Sequence, residues 1–164
     1  MLNITLIGAV DRKMAIGKGG DIPWRGCLKA DMDHFKHVTL EATVVMGRKT
    51  YESLPARFRP LPDRKNIIIT RNADFSAPGC FTFQTIDPVF HEASVEVFII
   101  GGGEIYKLFM PHANRLLLTH VETKIDGDTF FPRIPTGWKE RLVSDHPKDE
   151  GNHFPFAIVE YTHR

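Results

Sequence analysis

The sequence predicts an α/β protein built on one mixed sheet, parallel in its first half and antiparallel at its C-terminal edge. Four short apolar runs, residues 4–10, 43–46, 66–70 and 95–100, show little polar alternation. Such runs mark strands buried on both faces of a parallel sheet. Stretches with helical spacing fall between them, and strands alternating with helices imply right-handed crossovers. After Pro111 the pattern changes to three longer strand-like segments with no helix between them.

In chain order, residues 4–10 form the first strand and residues 29–40 the first helix. On that helix Asp31, Phe35 and Val38 stand at i, i+4 and i+7 and share one face, with Leu28 and Thr39 near it, while Asp33 points to solvent. The strand at 43–46 leads into a helix at 49–54, and the strand at 66–70 follows. A helix at 88–93, the strand at 95–100 and a helix at 104–109 complete the parallel part. Segments 115–122, 138–146 and 154–162 then join most simply as a meander or antiparallel addition.

The 164 residues are one domain's worth, 1–164, with 42 % hydrophobic and 25 % charged residues, as in soluble globular proteins. The net charge of +1 offers no general attraction to nucleic acid or an anionic membrane. Cys27 and Cys80 belong to no C-x-x-C pair, which suits a reducing compartment. The N-terminal apolar stretch lacks a basic region and is broken by Asn3 and Thr5, and no apolar run reaches 18 residues. The expectation is a cytoplasmic monomer.

Three strands end in glycine-rich or basic turns. Gly101, Gly102 and Gly103, followed by Glu104, Ile105 and Tyr106, close a buried strand and open a helix. That arrangement suits a pyrophosphate, or is a tight strand-to-helix turn. Gly47 precedes Arg48, Lys49 and Thr50, cations that oppose a helix dipole unless an anion sits between them; the alternative is a solvated basic turn. Thr70, Arg71 and Asn72 form the third. Ligands bind at that carboxyl edge in open α/β sheets. The Gly-rich segment from Ala15 to Trp24 reads as a lid or an ordinary surface crossover. Asp31, a carboxylate on an apolar helix face, is either an N-cap or the partner of a buried cation or polar ligand. Thr119 shares a strand face with Leu117 and Val121 and needs a hydrogen-bond partner inside. Ser144, Asp145 and His146 lie consecutively in a strand and cannot form a relay. His34 and His37 lack a third metal ligand, so no metal is expected.

Together these residues resemble the bacterial dihydrofolate reductases over nearly the full length. The resemblance rests on Ile16-Gly17 with Ile22-Pro23-Trp24, Asp31 with Phe35, Met46-Gly47-Arg48 with Thr50, and Leu61-Pro62 with Arg64 and Asn66. It continues through Ile100 to Gly103 with Tyr106, Leu118-Thr119, and Gly127-Asp128 with Phe131-Pro132. It implies a sheet of eight mostly parallel strands, an NADPH site, and reduction of 7,8-dihydrofolate to tetrahydrofolate. Asp31 would bond the pterin 2-amino group and N3, with Thr119 as its hydroxyl neighbour and Ile22 and Trp24 completing the catalytic set. Ile7 and Ile100 would offer carbonyls, and Phe35, Ile22, Leu54 and Leu61 would wall the ligand beside Tyr106. Arg64 would pair with the glutamate α-carboxylate.

On the cofactor side, the resemblance places Ala9, Ile16, Gly17, Gly20 and Asp21 beside the nicotinamide. Lys49, Thr50, Thr70 and Arg71 would hold phosphates, together with Gly47, Arg48, Asn72 and the segment from Gly101 to Tyr106. A cis peptide is expected at Gly101-Gly102. Hydride would pass to pterin C6, while a water delivers the proton to N5 because Asp31 stands too far away. Antifolates would compete for the same site. The chain departs from the family pattern in longer spacings after Trp24 and Leu54, in Asp63 where glycine is usual, and in Glu104 near the phosphates. Two other readings stay open, a riboflavin-biosynthesis-type NADPH reductase of the same fold and a non-catalytic NADPH-binding module. Asp31 with Phe35, and Arg64, speak against the first; Trp24 and Thr119 speak against the second.

Overall fold

The computed structural model describes residues 1–22 and 24–163. Pro23, expected in the Ile-Pro-Trp anchor, and Arg164 lie outside the described residues. The strands are β1 (Asn3–Val10), β2 (Ala15–Gly17), β3 (Thr43–Gly47), β4 (Lys65–Ile69), β5 (Cys80–Phe83), β6 (Glu96–Gly101), β7 (Arg115–Val121), β8 (Thr129–Phe130), β9 (Trp138–His146) and β10 (Phe156–His163). The helices are α1 (Lys29–Thr39), α2 (Arg48–Ser53), α3 (Val89–Glu92) and α4 (Gly103–Phe109). No helix among the described residues is long and apolar enough to cross a membrane.

Eight strands form one sheet in the order β5-β4-β3-β6-β1-β7-β10-β9. Pairs from β5 to β7 are parallel, and β10 runs antiparallel to both its neighbours. The fold class read from the sequence is therefore the one observed. The simple meander is not, because β10 inserts between β7 and β9. Burial explains the order. β10 hides Phe156, Ile158 and Tyr161 and needs neighbours on both sides, whereas β9 is largely exposed and carries Lys139, Glu140, Arg141 and Asp145. Charged residues suit an edge. Strand β5, at the other edge, is short and half-exposed, and β2 pairs with β8 in a separate two-stranded sheet.

Alternation along the central strands sends Leu6, Val45, Ile67, Ile99 and Leu116 to one face, covered by α3 and α4. Ile7, Val44, Met46, Ile68 and Phe98 go to the other, where Tyr51 of α2 and Phe35 and Val38 of α1 pack. Beneath the start of α1, Trp24 and Leu28 join Val121, Phe156 and Ile158.

Two irregularities open the sheet where the three basic or glycine-rich turns converge. β1 pairs with β6 only through Leu6 and Ile99, but with β7 as far as Val10 and His120. The β3–β6 register slips so that Gly101, not Ile100, opposes Met46. β1 and β6 thus part at their carboxyl ends, leaving the carbonyls of Ile7 and Ile100 outside a regular ladder.

Asp11 fixes the segment that leaves this opening. Its carboxylate accepts the backbone N–H of Lys13 and Ala15, each at 2.8 Å, and of Ile125 at 2.9 Å. Asp11→Ala should lower unfolding free energy by about 2–4 kcal/mol, because three charge-assisted bonds vanish and buried N–H groups lose partners. Urea denaturation measures it; a change below about 0.5 kcal/mol, the size of an ordinary surface substitution, would show that the clamp does not matter.

Candidate active site

Asp31 lies in the first turn of α1, but it caps nothing: Leu28 is the N-cap residue and no side chain caps it. The N–H of Ala30 instead donates to Asn152 Oδ1 at 3.0 Å. Asp31 accepts a hydrogen bond from Thr119 Oγ1 at 2.5 Å, within the range of a charge-assisted O–H···O bond. Thr119 is 4 % exposed and pairs with Ala9 across β7 and β1. Burial raises the Asp31 pKa above its ordinary value, partly offset by the Thr119 bond and by the nearby charge of His146. Asp33, by contrast, faces solvent and pairs with Lys29 at 2.7 Å.

Most residues expected to wall the ligand fall in two apolar clusters. Ile7 and Leu61 are buried in one apolar cluster, and Phe35, Leu54 and Ile100 pack against it. Trp24 is buried in the adjacent cluster with Leu28, against which Ala9 packs. Ile22 stands apart at 38 % exposed. Tyr106 packs on the opposite face of the sheet, and its hydroxyl donates to the Ile7 carbonyl at 2.7 Å. That carbonyl, expected to be free for a ligand, therefore has one lone pair left. Burial pushes the Tyr106 hydroxyl far above its usual range, so it remains a donor.

Arg64 donates from Nε to Thr39 Oγ1 (2.8 Å), from Nη1 to the Pro62 carbonyl (2.6 Å) and from Nη2 to the Lys36 carbonyl (3.0 Å). A guanidinium has five N–H groups, so one on each Nη remains for a bidentate anion. Asp63 takes φ of 60°, as a residue replacing a turn glycine must. Asn66, which the sequence reading gave no role, holds this turn by accepting the Leu61 N–H and donating to the Leu61 and Arg64 carbonyls.

Beyond the opening, Gly47 opposes Ile69 and Met46 opposes Gly101, so the three strand ends lie side by side. The Gly101-Gly102 peptide is cis. A Cβ on Gly102 would lie 3.5 Å from Thr50 Oγ1, and one on Gly103 would meet Thr129 at 3.1 Å and Ile16 at 3.8 Å. Of the two, only Gly103 is packed too tightly for a side chain without a neighbour giving way. Ile105 is buried in the core and lies 3.1 Å from where a Cβ on Gly47 would stand. Lys49, Arg71 and Glu104 are exposed.

Arg48, expected to help hold a phosphate, has an acidic neighbour on its own helix. Its Nε meets Glu52 at 3.2 Å and its guanidinium lies 6.0 Å from the Phe75 ring, so it is turned along α2. Thr70 Oγ1 accepts the Asn72 N–H, and Asn72 in turn accepts the Asp74 N–H, so both partly serve their own turn.

The expected lid is only partly a loop. Ala15, Ile16 and Gly17 belong to β2, the Gly17 carbonyl accepts the Asp128 N–H, and Asp128 accepts the Gly19 N–H at 2.9 Å. Gly19 and Gly20 have φ of 58° and 79° in open space, which L side chains adopt with strain. Asp21 accepts the Ile22 N–H and pairs with Arg25 at 3.2 Å, and these two contacts hold its carboxyl below the usual range. Ser144 and His146 share a face and bond at 3.0 Å, while Asp145 alternates to the other side. Among the described residues no three His, Cys, Asp or Glu side chains converge as a metal site.

An acid whose folded pKa is raised binds its proton more tightly in the native state. Stability then falls as pH rises from the ordinary carboxylate range through the raised pKa. Asp31→Asn removes that penalty. The variant should melt above the parent at pH 7, with the gain shrinking as pH falls to and below the ordinary carboxylate range. Calorimetry across pH checks this; a variant less stable than the parent at pH 7 would contradict the desolvation argument.

The family model for dihydrofolate reductase matches residues 3–163. A type 3 dihydrofolate reductase from Salmonella typhimurium is 42 % identical over 159 residues, covering 95 % of each chain. The dihydrofolate reductase of Staphylococcus haemolyticus is 39 % identical over 163 residues, 98 % of this chain and 95 % of its own. A solved dihydrofolate reductase from Enterococcus faecalis, complexed with NADP(H) and RAB-propyl, superposes with a TM-score of 0.88 at 30 % identity, over 98 % of this chain and 95 % of that one. With a family match over residues 3–163 and relatives about 40 % identical over nearly the whole length, the chain belongs to the dihydrofolate reductase family.

Proposed function

We propose that Asp31 and Arg64 grip the two ends of 7,8-dihydrofolate while the turns at the three strand ends hold NADPH, so that the chain forms tetrahydrofolate. The observation that carries this reading is the bond from Thr119 to a desolvated Asp31 at the edge of the Phe35 cluster. A carboxylate left on an apolar face at such cost is explained by a ligand that donates to it. The pterin 2-amino group and N3–H supply a matched pair of donors. Phe35, Leu54 and Leu61 offer apolar surface to the rings, and the two free N–H groups of Arg64 suit the glutamate carboxylate. Antifolates that present protonated heterocycles would meet the same acid.

The glycine-rich turn suits a dinucleotide because bare backbone lets a pyrophosphate approach closely, and a side chain at Gly103 would crowd Thr129 at 3.1 Å. Lys49, Thr50, Thr70 and Arg71 would hold the phosphates, and Ala9, Ile16 and Gly17 would border the nicotinamide. Bound NADPH supplies the hydride taken up at pterin C6. Asp31, as the anion, favours positive charge on the pterin and so eases protonation of N5 by water. The reading extends to a single-domain monomer in the cytoplasm, supported by the charges on edge strand β9 and by two free cysteines.

Asp31→Asn should cut turnover at pH 7 by about 100-fold or more, and the loss should shrink as pH falls and substrate arrives protonated. Loss of NADPH absorbance measures it, and a deficit constant across pH would argue against an electrostatic role. Arg71→Ala should lower the NADPH-over-NADH ratio of kcat/KM by roughly tenfold or more, the size of a charge-assisted bond to the 2′-phosphate. An unchanged ratio would remove Arg71 from the cofactor site.

A further inference from the structure

We infer that Thr39 is a positioning residue for the carboxylate end of the substrate, acting through Arg64. This rests on the reading of Arg64 given above. Thr39 is the last residue of α1 and is fully buried, yet it carries a hydroxyl. That hydroxyl donates to the Phe35 carbonyl one turn back at 2.7 Å and accepts Nε–H of Arg64 at 2.8 Å. Its neighbour on the guanidinium, Nη2, donates to the Lys36 carbonyl, one of the last four carbonyls of the helix. The C-terminal end of α1 therefore occupies one edge of the guanidinium, and the Pro62 carbonyl holds Nη1. The remaining N–H on each Nη can then present a fixed fork, since rotation about the side chain would break the Thr39 and Lys36 bonds together.

Asp31, Phe35 and Thr39 follow one another at intervals of four residues along one stripe of α1. The same helix thus carries the pterin acid, an aromatic wall and the seat of the tail-binding arginine. At 1.5 Å per residue, Asp31 and Thr39 stand on the order of 12 Å apart along the axis. This fixed spacing selects ligands that bear both a pterin-like head and a distant carboxylate.

Thr39→Val keeps the shape and removes the hydroxyl. It should raise KM for dihydrofolate roughly five- to thirtyfold with kcat within about twofold, since a hydrogen bond to a charged group is lost while two others remain. A dihydropterin without the glutamate tail should react equally with variant and parent. Thr39→Ser should restore KM to within about twofold of the parent, and Thr39→Val should add nothing in an Arg64→Leu background. Thr39→Ala, which suits a helix, should show the same KM increase and covers the case in which the valine variant fails to fold.

An unchanged KM in Thr39→Val or Thr39→Ala, with Arg64→Leu raising it, would overturn the role of Thr39 alone. An equal loss for the tail-less dihydropterin would show a displaced helix and overturn it too. An unchanged KM in Arg64→Leu would overturn the assignment of Arg64 and this inference with it.

Discussion

A carboxylate set on the apolar stripe of a packed helix is the constraint around which this molecule is arranged. Taking such a group from water costs several kcal/mol unless hydrogen bonds or charges compensate. The Asp31 carboxylate receives one such bond, from Thr119. That bond joins α1 to the middle of β7, and β7 in turn pairs with β1 on one side and β10 on the other. The acid is thereby tied to β7, opposite Ala9 near the carboxyl end of β1. Desolvation raises its pKa even so, which leaves a carboxyl ready to gain from a ligand that donates to it.

The parting of β1 and β6 leaves the carboxyl end of β1 paired with β7 alone in the sheet. Had the two strands stayed paired beyond Leu6 and Ile99, the carbonyls of Ile7 and Ile100 would lie in a continuous ladder. Instead Tyr106 reaches from α4 to the Ile7 carbonyl and supports the open end of β1. On the other side of the parting, the side-by-side ends of β3, β4 and β6 gather Gly47, Thr70 and Gly101 from separated parts of the chain. The parting thus stands between Asp31 and the three strand ends, at the carboxyl edge where open α/β sheets bind ligands.

The main strands were legible because they are buried on both faces and so read as continuous apolar runs. Strands β2, β5 and β8 were not, being two to four residues long and without such a run. The pairing of Asp31 with Thr119 could be anticipated, since each stood on an apolar face in need of a polar partner. The insertion of β10 could not be read from chain order, although the charges of β9 marked it as an edge. Arg48 pairs with Glu52 one turn along, a partner that the dipole argument left out. The seat of Arg64 was hidden for a different reason: two of its three acceptors are backbone carbonyls, which no residue type announces. Only Thr39 could have signalled it, as the third member of a four-residue periodicity begun by Asp31 and Phe35.

The state of the Asp31 carboxyl is the quantity on which the whole account turns. Titration of its side-chain 13C resonance by NMR in the ligand-free protein measures it directly. The midpoint should lie above 3.8, the ordinary value for aspartate, and should rise further in Thr119→Val, where the compensating hydroxyl is gone. A midpoint at or below 3.8, or one that Thr119→Val leaves in place, would contradict the account.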